Sequence, residues 1–216
     1  MLIVQCDFDD TITVGNVSAA IREVFAAPGW RAIEAEEAAG HLSVEQSNMR
    51  QFALVKASKD EIEEFVLGET AIRYAFDQFV DYCNGEGVRL VIVSSGLDLY
   101  ISPAMEQLGF DHLEIYSGSA EVTPDGVKVS YTDPYGKPVS SGFKGSYLRW
   151  LKRDGDTLVY IGDGRSDIVP AGEADFVIAR STLAEHRKSA GLVSYTFDTF
   201  DDVGKHVEEV RQQISF

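Results

Sequence analysis

Short apolar runs alternate along the chain with stretches whose apolar residues recur at helical spacing. Four such runs, at residues 3–6, 89–93, 157–161 and 176–178, predict buried strands. Helix signals separate them, a pattern typical of a parallel sheet covered by helices on both faces. We therefore expect an α/β fold.

Residues 14–78 carry helix signals and no strand signal. Asn16 precedes a run with apolar residues at helical spacing, and Ser43 and Ser58 each begin a capping box with Gln or Glu three positions later. A further helix is predicted to begin at Thr70. We expect this part, called the cap segment below, to be a helical insertion.

Residues 1–13 and 79–216 are predicted to form the core domain. Residues 113–116 predict an additional strand. From 117 to 142 the pattern changes to short β runs separated by turn sequences such as Pro-Asp-Gly and Asp-Pro-Tyr-Gly. We expect a small hairpin or flap there.

The composition is that of an acidic globular protein, with 216 residues, 44% apolar content and a formal net charge of −16. This charge argues against nucleic acid or an anionic membrane as a partner, because nothing replaces the phosphate counterions. No run approaches the roughly 18 apolar residues of a membrane span, and the short, acid-ended start does not resemble an export signal. Cys6 and Cys83 are expected to be buried thiols in a reducing, cytoplasmic setting.

Reactive side chains follow three of the predicted strands. Asp7 and Asp9 end the first, Ser94 follows the second, and Asp163 and Asp167 follow a later one. The carboxyl ends of strands in an open parallel sheet line one crevice, so these side chains are expected to meet. Two carboxylates at close range repel unless a cation or a shared proton separates them. The expected partner is Mg²⁺, a hard ion that takes oxygen ligands and often shares them with a phosphate. A solvated acidic turn is the alternative interpretation.

A phosphate site also needs a fixed cation and backbone amides that approach closely. Gly96, Gly162 and Gly164 stand beside the acids and allow such an approach. Lys144, at the start of a predicted helix, is the candidate cation, and a solvated first-turn lysine is the alternative. A small phosphorylated substrate is compatible with the acidic chain, since a metal and a lysine reverse the local potential.

In order and spacing, residues 7–11, Ser94, Lys144 and residues 162–167 resemble the four motifs of the haloacid dehalogenase superfamily of phosphohydrolases. One D-x-D-x-T is a weak signal, whereas four motifs in order are specific. The cap segment falls where this family inserts its cap. The resemblance implies a Rossmann-like core and a Mg²⁺-dependent phosphatase that forms an aspartyl-phosphate.

The resemblance also implies roles for individual side chains. Asp7 would be the nucleophile, and Asp9 would protonate the leaving oxygen and then activate water. Thr11 would fix the loop, Ser94 would bind a phosphoryl oxygen, and Lys144 would neutralise the nucleophile and the phosphate.

The implied metal ligands are Asp7, the backbone carbonyl of Asp9, and Asp163. Asp167 would orient Lys144 or a metal-bound water. Mg²⁺ is therefore the expected cofactor.

The substrate side of the site is less clearly marked. Ser95 and Gly96 complete the turn after Ser94, and Ser95 stands where the family pattern usually has glycine. Arg50 in the cap segment is a candidate contact to a polar part of the substrate, with an exposed helical arginine as the alternative.

Within the superfamily the chain is similar to phosphoserine phosphatases and more closely to phosphatases of methionine salvage. The second likeness rests on residues 58–66, 71–73, 93–98 and 176–180. Asn16 replaces the glutamate with which phosphoserine phosphatases hold the substrate ammonium. A phosphotransferase and a catalytically silent Mg²⁺- or phosphate-binding module are the other hypotheses.

Overall fold

The computed structural model describes residues 1–214. Within them the strands are β1 (Leu2–Cys6), β2 (Arg89–Leu97), β3 (Glu114–Thr123), β4 (Gly126–Ser130), β5 (Thr157–Gly162), β6 (Phe176–Ala179) and β7 (Tyr195–Thr196). They form one sheet in the order β4-β3-β2-β1-β5-β6-β7, and only β3 and β4 pair in the antiparallel sense. The predicted α/β fold with a mainly parallel sheet is confirmed.

Helices separate the strands in the chain. Those that begin and end within the cap segment are α1 (Val17–Phe25), α2 (Trp30–Ala38), α3 (Val44–Phe52) and α4 (Lys59–Glu69). The others are α5 (Phe76–Glu86), α6 (Asp98–Gln107), α7 (Phe143–Leu151), α8 (Ile168–Ala171), α9 (Ser181–Ser189) and α10 (Phe200–Ile214), and a 3₁₀ turn spans Arg165–Asp167. None of these helices is long and apolar enough to cross a membrane.

The strand order places the functional loops at one edge. β1 lies between β2 and β5, with Cys6 opposite both Ile92 and Ile161. The N–H of Asp7 continues this pairing by donating to the Ile161 carbonyl at 2.9 Å. From β1 the chain continues to β2 on one side of it, and β5 later joins β1 on the other side. The connections therefore diverge at the carboxyl end of β1, and a crevice opens there.

The N-terminal signals of the cap segment are confirmed. Asn16 caps α1 by accepting from the Ala19 N–H at 2.7 Å, and α3 and α4 both begin with the capping boxes expected at Ser43 and Ser58. The predicted helix start at Thr70 is wrong, because α5 begins only at Phe76.

Tertiary pairing explains this late start. The Val14 N–H donates to the Ala71 carbonyl at 2.8 Å, and the Arg73 N–H donates to the Ile12 carbonyl at 2.8 Å. Residues 70–75 are therefore tied to the loop after β1 and are not helical. The expected division of the chain at 78/79 falls within α5 and stays a prediction.

The expected hairpin is present and longer than the sequence indicated. β3 continues past residue 116, first parallel to β2 and then antiparallel to β4. Gly126 at its turn has φ +132°, and a Cβ there would collide with the Ala53 carbonyl at the end of α3. The turn thus requires glycine and lies against the cap segment.

Candidate functional site

A cavity of about 440 Å³ lies at the carboxyl ends of β1, β2 and β5. Residues of the cap segment form its opposite wall. Among the side chains expected from the sequence, those that line it are Asp7, Asp9, Ser94, Ser95, Lys144 and Asp163. Gly96 lines it as well. The fold therefore gathers residues from four distant parts of the chain.

Lys144 is buried at the floor of this cavity. Its ammonium lies 2.7 Å from Asp7 Oδ1 and 2.6 Å from Asp167 Oδ1, and donates to Ser166 Oγ at 3.0 Å. Burial alone lowers the pKa of Lys144, but Asp167 and Asp7 more than offset it and raise the pKa above its usual range. Lys144 is therefore a fixed positive charge beside Asp7.

Asp167 holds the loop after β5 as well as Lys144. Its Oδ1 accepts from the Tyr160 hydroxyl at 2.6 Å, and its Oδ2 accepts from the N–H groups of Asp163 and Gly164 at 3.0 and 2.8 Å. A Cβ at Gly162 would overlap the Asp167 carboxyl group. Protein donors thus occupy both oxygens of Asp167, which suits an orienting role.

Asp7, Asp163 and Asp167 form an acidic cluster, with one oxygen of each within 4.8 Å of the others. Burial raises the pKa of Asp7 to about 7, against the opposing effect of Lys144. Burial, Asp7 and Asp167 raise the pKa of Asp163 to about 8. Such crowded carboxylates are compatible with a divalent cation that prefers oxygen ligands, and Asp7 and Asp163 retain acceptor capacity for it. The Thr11 hydroxyl donates to Asp163 Oδ1 at 3.4 Å.

The Asp9 side chain lies outside this cluster. Its Oδ1 accepts from the N–H groups of Val17 and Ser18 at 2.8 and 3.3 Å, and its Oδ2 accepts from the Tyr100 hydroxyl at 2.6 Å. Burial raises the pKa of Asp9, and these hydrogen bonds oppose the increase. Asp7 and Asp9 are close in sequence but have different environments, as expected of two carboxylates with different tasks.

The last part of β2 completes the floor of the cavity: the strand does not end at residue 93 as expected but continues to Leu97, and its register with β3 shifts between Val93 and Leu97. Ser94 Oγ accepts from the Gly96 N–H at 3.0 Å. Ser95 Oγ is buried and has no hydrogen-bond partner within residues 1–214. A Cβ at Gly96 would collide with the Tyr100 hydroxyl, so glycine is needed for Tyr100 to reach Asp9.

Comparison with known proteins agrees with this geometry. The family model of the haloacid dehalogenase-like hydrolases matches residues 4–170. The chain belongs to this family. As a haloacid dehalogenase-like hydrolase it is an enzyme, as the four motifs predicted.

Two curated relatives of this haloacid dehalogenase-like hydrolase are 2-hydroxy-3-keto-5-methylthiopentenyl-1-phosphate phosphatases. The one from Brevibacillus brevis is 30% identical, over 99% of this chain and 98% of its own length. The one from Geobacillus thermodenitrificans is 32% identical, over 97% and 96%.

Solved structures of phosphoserine phosphatase share the fold of this hydrolase. A phospho-aspartyl intermediate analogue matches with a TM-score of 0.71 and 19% identity, covering 95% of this chain and 98% of that one. A substrate-bound complex matches with a TM-score of 0.68 and 17% identity, covering 95% and 97%.

Arg50 is the one expected substrate contact of this hydrolase that the cavity does not include. Its Nη1 lies 3.3 Å from Glu36 Oε2, and more than half of its side chain is exposed. Another arginine of the cap segment, Arg22, lines the cavity and is buried. No local signal in the sequence marks Arg22, because its burial depends on packing against Trp30 and Phe52.

Proposed function

We propose that this hydrolase is a Mg²⁺-dependent phosphomonoesterase that acts on a small phosphorylated metabolite through an aspartyl-phosphate. The observation that carries the proposal is the contact between buried Asp7 and Lys144 at the floor of the cavity. Asp9 lines the same cavity and is held by hydrogen bonds of its own. A cavity of about 440 Å³ suits a small molecule.

In the first step an Asp7 carboxylate oxygen attacks the phosphorus atom. The bond from phosphorus to the ester oxygen breaks, and Asp9 gives its proton to the leaving oxygen. Covalent catalysis of this kind divides one difficult displacement into two easier ones. The hydrogen bonds from Tyr100 and α1 fix the direction of the Asp9 carboxyl group.

In the second step Asp9, now a carboxylate, accepts a proton from a water molecule. The water oxygen attacks phosphorus, the bond from phosphorus to Asp7 breaks, and inorganic phosphate is released. Asp7 and the protonated form of Asp9 are then restored.

Positive charge offsets the phosphate and the nucleophile in both steps. Lys144 supplies part of it, and the Ser94 hydroxyl, whose oxygen accepts from the Gly96 N–H, would donate to a phosphoryl oxygen. Mg²⁺, held by Asp7, the backbone carbonyl of Asp9 and Asp163, would supply the rest. Such electrostatic stabilisation is commonly the largest catalytic contribution.

We infer that the substrate is 2-hydroxy-3-keto-5-methylthiopentenyl-1-phosphate or a close analogue. The full-length similarity to the phosphatases of B. brevis and G. thermodenitrificans supports this. Phosphoserine is disfavoured, because Asn16 is neutral and its Oδ1 already caps α1. Two free, buried cysteines support a cytoplasmic setting.

Hydrolysis of p-nitrophenyl phosphate by the purified protein tests the phosphatase activity. We expect turnover with Mg²⁺, none with EDTA, and none in Asp7→Asn. Asp10→Asn is the matched control, since Asp10 belongs to the same loop but does not line the cavity and its φ of +57° suits Asn. Equal activity in the Asp7 and Asp10 variants would overturn the assignment.

A second experiment separates hydrolysis from phosphoryl transfer. The protein is given 2-hydroxy-3-keto-5-methylthiopentenyl-1-phosphate with and without added alcohols as acceptors, and the products are followed by ³¹P NMR. Release of inorganic phosphate alone supports the phosphatase, whereas a new phosphate ester identifies a transferase.

A further inference from the structure

Arg22 is a buried cation in the cap-segment wall of the cavity. It is 8% exposed and lines the cavity together with Asp7 and Asp9. Its Nη1 donates to Ser18 Oγ at 2.5 Å, while its Nε is buried without an acceptor. In the part of the chain that the structure describes, residues 1–214, no carboxylate oxygen lies within 4.0 Å of this guanidinium.

Two aromatic rings contact the Arg22 guanidinium but do not accept its remaining hydrogen bonds. It lies 5.9 Å from the ring centroid of Trp30 and 5.8 Å from that of Phe52. Such contacts attract a cation but accept no in-plane hydrogen bond. Glu34 and Glu37 line the same cavity, yet neither forms an ion pair with Arg22. Asp9, Glu34 and Glu37 attract the guanidinium electrostatically, but no acceptor binds its buried Nε, and a buried donor without an acceptor is costly.

Arg22 is linked through Ser18 to Asp9, the residue proposed to protonate the leaving group. Ser18 accepts from Arg22 through its hydroxyl and donates its N–H to Asp9 at 3.3 Å. Asp9 is the residue that would protonate the leaving oxygen. The carbon chain attached to that oxygen would therefore extend toward Arg22.

We propose that Arg22 binds a carbonyl or carboxylate oxygen on the organic part of the phosphorylated substrate. The proposal rests on the phosphatase function above and adds to it a residue that selects the substrate. A planar guanidinium presents several donors in a fixed fork, which suits neighbouring oxygen atoms. The keto and hydroxy groups named in the substrate of the two curated relatives have this chemistry.

The test compares substrates that differ in one oxygen function. Dihydroxyacetone phosphate and phosphoglycolate carry a carbonyl and a carboxylate, and 3-hydroxypropyl phosphate and ethyl phosphate are their counterparts without it. For each pair the ratio of kcat/KM values is measured in the wild type and in Arg22→Gln. This ratio does not depend on the folded fraction of the enzyme, so it separates recognition from a purely structural role.

We expect Arg22→Gln to lower at least one ratio by about 10- to 100-fold, mainly through KM, as for loss of a charge-assisted hydrogen bond. A loss confined to dihydroxyacetone phosphate identifies a carbonyl ligand, and a loss confined to phosphoglycolate identifies a carboxylate. Any change on 3-hydroxypropyl phosphate and ethyl phosphate, which have neither group, measures the part of the effect that is not due to recognition of a carbonyl or carboxylate.

Arg31→Gln is the matched control. Arg31 also lies over the Trp30 ring, 4.4 Å from its centroid, but it is exposed, forms an ion pair with Glu23 and does not line the cavity. Its substitution should leave both ratios unchanged. Arg22→Lys, which keeps the charge but not the fork, serves if Arg22→Gln does not fold, and its ratio should also fall.

Unchanged ratios in the folded Arg22 variants, with wild-type turnover intact, would overturn the role of Arg22 and leave the phosphatase function standing. Absence of wild-type turnover on every monoester, p-nitrophenyl phosphate included, would overturn both.

Discussion

Arg73 connects the loop that carries Asp9 to the chain beyond α4. Its Nε donates to the Thr11 carbonyl at 2.8 Å, and its Nη2 donates to the carbonyls of Asp10 and Thr13 at 2.7 and 3.0 Å. The loop needs such support, since Asp10 has a left-handed φ of +57°. We predict that Arg73→Met, which keeps the apolar stem and removes the donors, weakens both stability and catalysis.

The size of the effect follows from the carbonyls left without a donor. Asp10 keeps a hydrogen bond from Arg180 Nη1 at 3.2 Å, so the loss falls mainly on Thr11 and Thr13, both fully buried. A buried acceptor left unsatisfied costs about 1–3 kcal/mol, which gives about 2–6 kcal/mol for the pair. A small displacement of Asp9 should also lower kcat by about 10²-fold.

Urea unfolding measures the first effect, and kcat on p-nitrophenyl phosphate, per folded enzyme, measures the second. Arg89→Met is the matched control, because Arg89 makes two hydrogen bonds to Glu114, at 2.7 and 3.1 Å, on partly exposed side chains away from the cavity. Arg89→Met should lower the free energy of unfolding by at most about 1 kcal/mol and leave kcat unchanged. A stability loss in Arg73→Met no larger than in Arg89→Met, or an unchanged kcat, would refute the reasoning.

The remaining predictions concern the cap segment, the hairpin and the metal. Ser58→Ala removes the capping box of α4 and should lower the free energy of unfolding, measured by thermal unfolding, by about 1 kcal/mol with kcat unchanged. Gly126→Ala should cost more than about 1 kcal/mol, because the residue has φ +132° and its Cβ would meet the Ala53 carbonyl; an unchanged melting temperature would contradict this. Since burial raises the folded pKa of Asp163 to about 8, above an unfolded value near 4, its contribution to stability is complete below about pH 4 and is lost as the pH rises toward 8. The metal-free protein should therefore lose stability over this range relative to Asp163→Asn, and Mg²⁺ should raise the melting temperature more at pH 8 than at pH 5, as calorimetry can check.

Local pattern was sufficient to predict most strands of the sheet and the edge at which the reactive groups meet, but the two-residue strand β7 was not predicted. The apolar runs before Asp7, Ser94 and Asp163 are strands, and the order of the parallel strands makes their carboxyl ends neighbours. Helix starts with a side-chain cap, such as those at Asn16 and Ser58, were predictable for the same reason, because a cap is formed within four residues.

Features that depend on distant backbone were not predictable. The start of α5 is set by pairing between residues 70–75 and the loop after β1, and no local signal reports it. Arg73 acts on the Thr11 carbonyl 62 positions away, and Tyr100 acts on Asp9 91 positions away. Arg50 was a candidate substrate contact and Arg22 was not considered, because only the packing of α1 on Trp30 and Phe52 buries Arg22.

The placement of Asp9 links catalysis to the position of the cap segment. Its Oδ1 satisfies the N–H groups of Val17 and Ser18 at the start of α1, which have no partner within the helix. One turn later the same helix carries Arg22 into the cavity wall. A displacement of α1 would therefore move both the Asp9 carboxyl group and the Arg22 guanidinium. The acid proposed to serve the leaving oxygen and the residue proposed to recognise the attached carbon chain would thus be positioned by one helix. A substrate that fits against Arg22 would therefore also hold Asp9 in position.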